Sequence, residues 1–283
     1  MENKLVLTAD IGGTHITSAL VDIQTWQILE DTISRSHVNS KSDAKSILQS
    51  WKSCLSTSLA QVEFTIPHLG IAMPGPFDYA NGISLIKGQD KYEALYQMNV
   101  KEALNELMDQ PVAIRLINDA AAFLQGEVFA GNLANREKVL GITLGTGLGS
   151  AIWQKGAPAF DADLWDSPYQ ESIFEEFLVT RWFTKRFFEL SGIQEEGVKD
   201  IIKKHRQHPK FDMLMEEYTT ALYDFLCFFS TQENCNTFIL GGSISKAWEL
   251  IASYNTEKFD RFEIFIGQYA EKAALIGAAS LFK

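Results

Sequence analysis

Residues 5–21 read LVLTADIGGTHITSALV, and the break at Gly12 and Gly13 decides how the chain is built. Alternating and β-branched residues run up to Ile11 and resume from Ile16, which predicts two strands joined by a tight glycine turn. Asp10 stands just ahead of that turn. Glycines let a backbone approach a ligand and aim successive N–H groups at an anion, and a neighbouring carboxylate can hold a cation through water. The stretch is therefore either a plain hairpin or a cradle for phosphate and magnesium. What weighs between the two is that the chain repeats it.

Residues 139–153 read VLGITLGTGLGSAIW, again strand, glycine turn and strand. With Gly13 laid on Gly145, GTHITSAL and GTGLGSAI share Gly, Thr, Ser and Ala, with an aliphatic residue in step. A match in both strand pattern and turn predicts an internal duplication, so the protein reads as an α/β chain of two similar halves. Further strands are predicted at 26–33, 68–73, 111–117 and 237–240. Helices are predicted at 40–59, capped by Ser40 or Ser42, and at 99–108, 119–129, 171–190, 195–205, 213–233 and 267–282. Tyr218, Phe225 and Phe229 share a face of the helix at 213–233, which reads as core.

At 283 residues, with 46% hydrophobic and 22% charged, the chain can bury a large core. A net charge of −11 argues against nucleic acid or an anionic membrane as a partner, so any bound phosphate must be met by local donors. Cys54, Cys227 and Cys235 make neither a disulfide framework nor a four-ligand cluster, and no structural zinc is expected. The short apolar run before Asp10 is no signal segment and no stretch has membrane-spanning length, which predicts a cytoplasmic protein.

Several positions carry candidate chemistry. No GxxxxGK[ST] occurs, and the glycines at 145–149 run into strand instead of helix, so neither the P-loop nor the dinucleotide fingerprint applies. Pro74-Gly75-Pro76 is a rigid turn, either a plain loop or a place where a substrate can approach Gly75. Asn118-Asp119 falls between a strand and a helix, which leaves Asp119 as an ordinary helix cap or as a carboxylate at a crevice mouth. Gly241 and Gly242 end a strand before a helix that Ser243 could cap, a place suited to packing against an adenine ring. His205 and His208 lack a third metal ligand and read as exposed polar residues, while His15 reads as a strand residue near the first turn.

Taken together, Asp10-Ile-Gly-Gly-Thr14, Leu144-Gly-Thr-Gly-Leu-Gly149 and Ile239-Leu-Gly-Gly-Ser243 resemble the actin-like sugar kinases, in particular the ROK family of glucokinase-type enzymes and sugar repressors. The segment Gly70-Ile-Ala-Met-Pro-Gly-Pro76 is similar to that family's sugar-side loop, and Asn118-Asp119 to its Asn-Asp pair. The resemblance implies two actin-like (ribonuclease H-like) lobes with a cleft between them, residues 1–117 plus 268–283 and residues 118–267. It implies ATP and Mg2+ as cofactors. Gly12, Gly13, Thr14, Gly145, Thr146, Gly147 and Gly149 would hold phosphates, Gly241, Gly242 and Ser243 the adenosine, and Asp10 the magnesium through water. Asp119 would be the catalytic base, with Asn118 and Gly75 on the sugar. That division of labour suits phosphoryl transfer, which needs positioning, charge neutralisation and a carboxylate for the hydroxyl proton.

Two departures from the family stand out. Its Gly-Glu-x-Gly-His segment and cysteine-rich zinc loop are missing, and residues 161–169 read DADLWDSPY instead, followed by IFEEF at 173–177. By the resemblance Asp163 takes the place of the sugar-binding Glu, Asp166 that of the His, and Glu175 that of a later sugar-contacting Glu, with Glu176 as the alternative. Either these carboxylates and Trp165 and Tyr169 form a polyol pocket, or the aromatics pack and the carboxylates face water. The activity implied is ATP-dependent phosphorylation of a hexose or hexose derivative, with sugar and nucleotide as partners and a homodimer allowed. Two alternatives remain: a sugar-sensing regulator, though only nine residues precede Asp10 where a DNA-binding region would stand, and an actin-like ATPase module, against which the Pro74-Gly75-Pro76 turn and Asn118-Asp119 count.

Overall fold

The computed structural model describes residues 4–283. The chain packs into two compact units, one of Met1–Arg136 with Lys155–Phe160 and Gln268–Lys283, the other of Glu137–Gln154 with Asp161–Gly267.

In the first unit β1 (Leu5–Ile11) and β2 (His15–Asp22) form the expected antiparallel hairpin, closed by the pair Ile11 and Ile16. The sheet continues with β3 (Gln27–Ile28), β4 (Ser34–His37), β5 (His68–Met73) and β8 (Ala113–Asn118), in the order β3-β2-β1-β5-β8 with β4 also on β2. A small ribbon of β6 (Phe77–Asp78) and β7 (Ile83–Ser84) stands apart. The strand expected over 26–33 is cut short, because Glu30–Thr32 turns as a 3-10 helix and the Thr32 hydroxyl takes the Leu20 N–H at 2.9 Å in place of a ladder bond. Helix α1 (Ala44–Leu59) starts later than predicted and is capped by Asp43, not by Ser40 or Ser42. The Asp43 carboxylate receives both the N–H of Ser46 (3.0 Å) and its hydroxyl (2.6 Å), more than either serine could offer. Ile47, Trp51, Cys54 and Leu55 on α1 pack into one core with Leu69, Ile71, Tyr92 and Leu104, the last from α2 (Val100–Leu107). Directly after β8 comes α3 (Asp119–Ala130).

The second unit repeats the plan. β9 (Lys138–Leu144) and β10 (Leu148–Gln154) are antiparallel, β14 (Thr237–Gly241) runs parallel to β9, and β15 (Glu263–Ile266) runs parallel to β14. The order β10-β9-β14-β15 therefore matches β2-β1-β5-β8 in sense and sequence, as a duplication requires. The closing pair Leu144 and Leu148 shows that the first turn is one residue longer, so Ile16 corresponds to Leu148 but Asp10 to Thr143. The short β11 (Phe160–Asp161) edges this sheet, and β12 (Pro168–Tyr169) pairs with β13 (Ser172–Ile173). Where one helix is expected over 171–190 there are two, α4 (Glu175–Leu178) and α5 (Thr180–Ser191), separated by an extended Val179. Then come α6 (Val198–His205), α7 (Phe211–Glu233), α8 (Trp248–Ser253) and α9 (Thr256–Phe259). Phe183, Phe187, Tyr218, Phe225 and Phe229 are fully buried together, so the aromatic face of α7 is core as expected.

The chain closes with α10 (Glu271–Ser280), shorter than the predicted 267–282. The preceding loop is held by the Glu127 carboxylate, which accepts the N–H groups of Gln268 (2.9 Å) and Tyr269 (2.8 Å). Helices α3 and α10 touch backbone to backbone. A Cβ on Gly126 would lie 1.9 Å from the Ala273 carbonyl oxygen, and one on Gly277 would lie 1.9 Å from that of Ala122. Only a hydrogen fits at either place. This interlock ties α3, and Asp119 at its start, into the first unit, so the division falls after Arg136 and not after residue 117. Among the described residues no helix is long and apolar enough to cross a membrane.

Candidate active site

The first unit brings together Asp10, Gly12, Gly13, Thr14, Gly75, Asn118 and Asp119. The turn is fixed by Gly12 N–H donating to the His15 carbonyl at 2.9 Å and by the Tyr92 hydroxyl donating to the Gly12 carbonyl at 2.6 Å. Thr14 Oγ1 and His15 Nδ1 share a hydrogen bond of 2.9 Å, and His15 is exposed on β2. Neither Gly12 nor Gly13 has a positive φ, and a Cβ on them would meet nothing closer than 3.7 Å and 3.9 Å. Gly145 in the second hairpin has nothing within 4 Å at all. Packing alone does not demand glycine at these places, and the backbone there is open to approach.

The Asp10 pKa is pushed up to about 7 by burial first, then by the charges of Asp119 and Glu271, with Arg35 opposing. Among the described residues no donor reaches its carboxylate. Such a carboxylate is short of positive charge, and a divalent cation fits the need.

Asn118 settles the two readings of its neighbour as a cap. Its Oδ1 accepts the N–H groups of Ala120 (2.8 Å) and Ala121 (3.1 Å), so Asn118 caps α3 and Asp119 does not. Among the described residues Asp119 takes the adjacent Ala120 N–H at 2.9 Å, and the residue stays open to solvent. Its pKa is nonetheless raised, because protein crowds round the carboxylate and outweighs the opposing Ala120 hydrogen bond and Lys91 charge. With its oxygen spent on the cap, Asn118 turns its amide to the Tyr79 hydroxyl at 3.3 Å. Tyr79 also donates to the Met73 carbonyl at 3.0 Å, and a Cβ on Gly75 would come within 3.2 Å of its oxygen. Tyr79 thus links the proline-flanked turn to Asn118.

Gly145, Thr146, Gly147, Gly149, Asp163, Asp166, Glu175, Gly241, Gly242 and Ser243 all belong to the second unit. Its hairpin is braced from behind. Thr180 N–H and hydroxyl both donate to the Gly145 carbonyl, at 2.8 and 3.0 Å, and Arg181 reaches the Thr146 carbonyl at 3.4 Å. Glu175 Oε2 accepts the Leu148 N–H at 2.9 Å while Oε1 takes Arg181 at 2.9 Å, so both oxygens serve the hairpin. Glu176 pairs with Arg181 at 2.6 Å, which holds its carboxyl below the usual range. Gly242, unlike Gly145, is required by the fold: its φ is +87° and a Cβ would lie 2.2 Å from the Leu144 carbonyl. Ser243 caps nothing; Ser245 instead donates to the Gly242 carbonyl at 2.9 Å. On the 161–167 loop Asp163, Trp165 and Asp166 are exposed, with Trp165 Nε1 donating to Asp163 at 2.9 Å. Tyr169 turns inward, stacked on Phe174 at 4.4 Å and donating to Asp224 at 2.8 Å. His205 is half-buried and bonds Glu195 at 2.6 Å, not merely exposed.

Tyr79, Tyr92, Lys91, Thr180 and Arg181 escaped the sequence reading. Tyr79 closely follows the Pro74-Gly75-Pro76 turn, whereas the other four lie in segments without glycine motifs and only the fold carries them to the turns.

Twin sheets of one topology, each led by a glycine hairpin, define an actin-like α/β protein. The ROK family profile matches residues 6–160, and the chain belongs to the ROK family. The glucokinase of Thermotoga maritima is 23% identical over 326 aligned positions, which take in 100% of this chain and 98% of that protein. A ROK family glucokinase from Streptomyces griseus, solved with glucose and AMPPNP, superposes with a TM-score of 0.74 at 22% identity, covering 98% of each chain. A ROK family transcriptional regulator, a homologue of the E. coli MLC protein, superposes with a TM-score of 0.76 at 15% identity over 98% of this chain and 77% of the other. Kinase and regulator share this fold, so the choice between them falls to the site.

Proposed function

We propose that the protein transfers the terminal phosphoryl group of ATP to a hydroxyl of a hexose or hexose derivative. The observation that carries the reading is the Asp119 carboxylate, released from capping by Asn118, solvent-open and with a raised pKa beside the Gly12–Gly13 turn. A regulator that only senses sugar has no use for such a base. Kinship with the Thermotoga maritima glucokinase points the same way.

On this reading Asp119 accepts the proton of the attacking hydroxyl, while the Asn118 amide and the chain around Gly75 orient the sugar. In the first turn the N–H groups of Gly13 and Thr14, and in the second those of Thr146 and Gly147, hold phosphate oxygens, while the Gly12 and Gly145 N–H groups close their own turns and Glu175, Thr180 and Arg181 keep the second turn in shape. Asp10 would hold Mg2+, which would supply charge neutralisation on the phosphates. In the second unit the exposed Asp163, Trp165 and Asp166 are candidates for meeting sugar hydroxyls.

ADP formation from Mg-ATP across a panel of hexoses and amino-sugars tests the activity. Asp119→Asn should lose about a hundred- to ten-thousandfold in kcat yet bind nucleotide as before. In the wild type kcat should fall as pH drops through the raised pKa of Asp119. Turnover of the variant within threefold of wild type removes the assignment, and sugar binding without turnover by the wild type favours the regulator.

A further inference from the structure

We propose, resting on the phosphoryl-transfer reading above, that Lys91 is the cation that meets the transferring phosphoryl group at the Gly12–Gly13 turn. The side chain runs over the turn, its Cδ 3.9 Å from where a Cβ on Gly13 would stand. Among the described residues its ammonium has no hydrogen bond and no ion pair, although the residue is half-buried. Other lysines of the unit are tied elsewhere: Lys41 pairs with Asp90, Lys52 with Asp109, Lys101 donates to the Ala80 carbonyl, and Lys87 lies over the Tyr96 ring. A lysine whose side chain passes this close to the glycine turn, in a protein of net charge −11, can supply the local positive charge that phosphate binding needs.

The backbone gives an independent reason. Asp90 (φ 58°) and Tyr92 (φ 55°), on either side of Lys91, are both in the left-handed region that non-glycine residues avoid. Four bonds hold them there: Tyr92 N–H to the Ser40 carbonyl (2.7 Å), Tyr92 hydroxyl to the Gly12 carbonyl (2.6 Å), Asp90 N–H to Glu93 (3.1 Å), and the Lys41–Asp90 ion pair. One of these ties the strained loop to the phosphate turn itself. Lys91 also lowers the pKa of Asp119 against the effect of burial, so its charge is felt at the base.

In the step itself the hydroxyl oxygen of the sugar forms the new bond to the γ-phosphorus. The bond from that phosphorus to the β–γ bridging oxygen breaks, its electron pair stays on ADP, and the hydroxyl proton passes to Asp119. Lys91 stabilises the negative charge on the γ-phosphoryl oxygens during the transfer.

Lys91→Met and Lys91→Gln, compared with Lys91→Arg, give the test. The neutral variants should lose about a hundred- to a thousandfold in kcat with the sugar KM within threefold, and arginine should restore part of it. The acid limb of kcat/KM should move to higher pH in the neutral variants, because Asp119 loses a neighbouring cation. By calorimetry, affinity for a non-hydrolysable nucleoside triphosphate should drop about tenfold while that for the diphosphate holds. Equal loss for both nucleotides, a change confined to the sugar KM, or a kcat within threefold of wild type with the limb unmoved overturns the role of Lys91. Should the wild type phosphorylate no hexose, the kinase reading fails, and the triphosphate-against-diphosphate comparison still decides whether Lys91 meets the γ-phosphate.

Discussion

Replacing Asp10 by asparagine should stabilise the protein while removing the carboxylate proposed to hold Mg2+. An ordinary aspartate titrates at 3.8, and Asp10 is pushed up to about 7 by burial and by Asp119 and Glu271. At roughly 1.4 kcal/mol per pKa unit, the ionised side chain costs the folded state on the order of 4 kcal/mol above neutrality. Below pH ~4 the acid is protonated in both states and the cost vanishes. Between these limits the unfolded chain ionises first and the folded chain binds more protons, so stability falls as pH rises through the window from about 4 to 7. Asparagine does not titrate and keeps the shape. The lead of Asp10→Asn over wild type should therefore widen by roughly 2–3 kcal/mol from pH 5 to pH 8, read by urea unfolding in EDTA. Adding Mg2+ and nucleotide should narrow it again, since only the wild type gains the metal. A lead that stays constant across this range refutes the argument that Asp10 is a charge-starved carboxylate.

Gly145→Ala should melt like wild type, because a Cβ there meets open space, yet bind Mg-ATP at least tenfold more weakly by calorimetry. Gly277→Ala should lower stability by about 1–3 kcal/mol or more in chemical unfolding, because the new Cβ falls 1.9 Å from the Ala122 carbonyl oxygen and forces α3 and α10 apart. Tyr92→Phe deletes the hydrogen bond to the Gly12 carbonyl, which should cost about 1 kcal/mol in unfolding and loosen nucleotide binding through the freed turn.

The glycine hairpins could be read from the sequence because a turn of small residues between two β-branched runs has few other outcomes, and their repetition revealed the duplicated sheet. Asn118 next to Asp119 was readable as a pair, but both residues cap helices well, and only the geometry assigns the cap to Asn118. Cap choice at α1 was similarly hidden, since Ser40, Ser42 and Asp43 all qualify and the reciprocal hydroxyl of Ser46 decides. β15 is four residues long and begins with Glu263, too short a pattern to separate from a loop. Glu175 could be matched to a sugar contact, whereas its bonds to Leu148 and Arg181 depend on a fold that no local spacing encodes. Lys91 was out of reach for the same reason: it neighbours Gly13 in space and not in sequence.

The extra residue in the first turn has an evolutionary consequence. It sets Thr143 in the second copy at the place that Asp10 holds in the first, so one descendant of the ancestral repeat is acidic there and the other is neutral. Descendants that differ at so central a point cannot trade duties. A pseudo-symmetric scaffold thereby acquires a fixed polarity, with a carboxylate beside the turn of the N-terminal repeat and a neutral hydroxyl beside that of its twin.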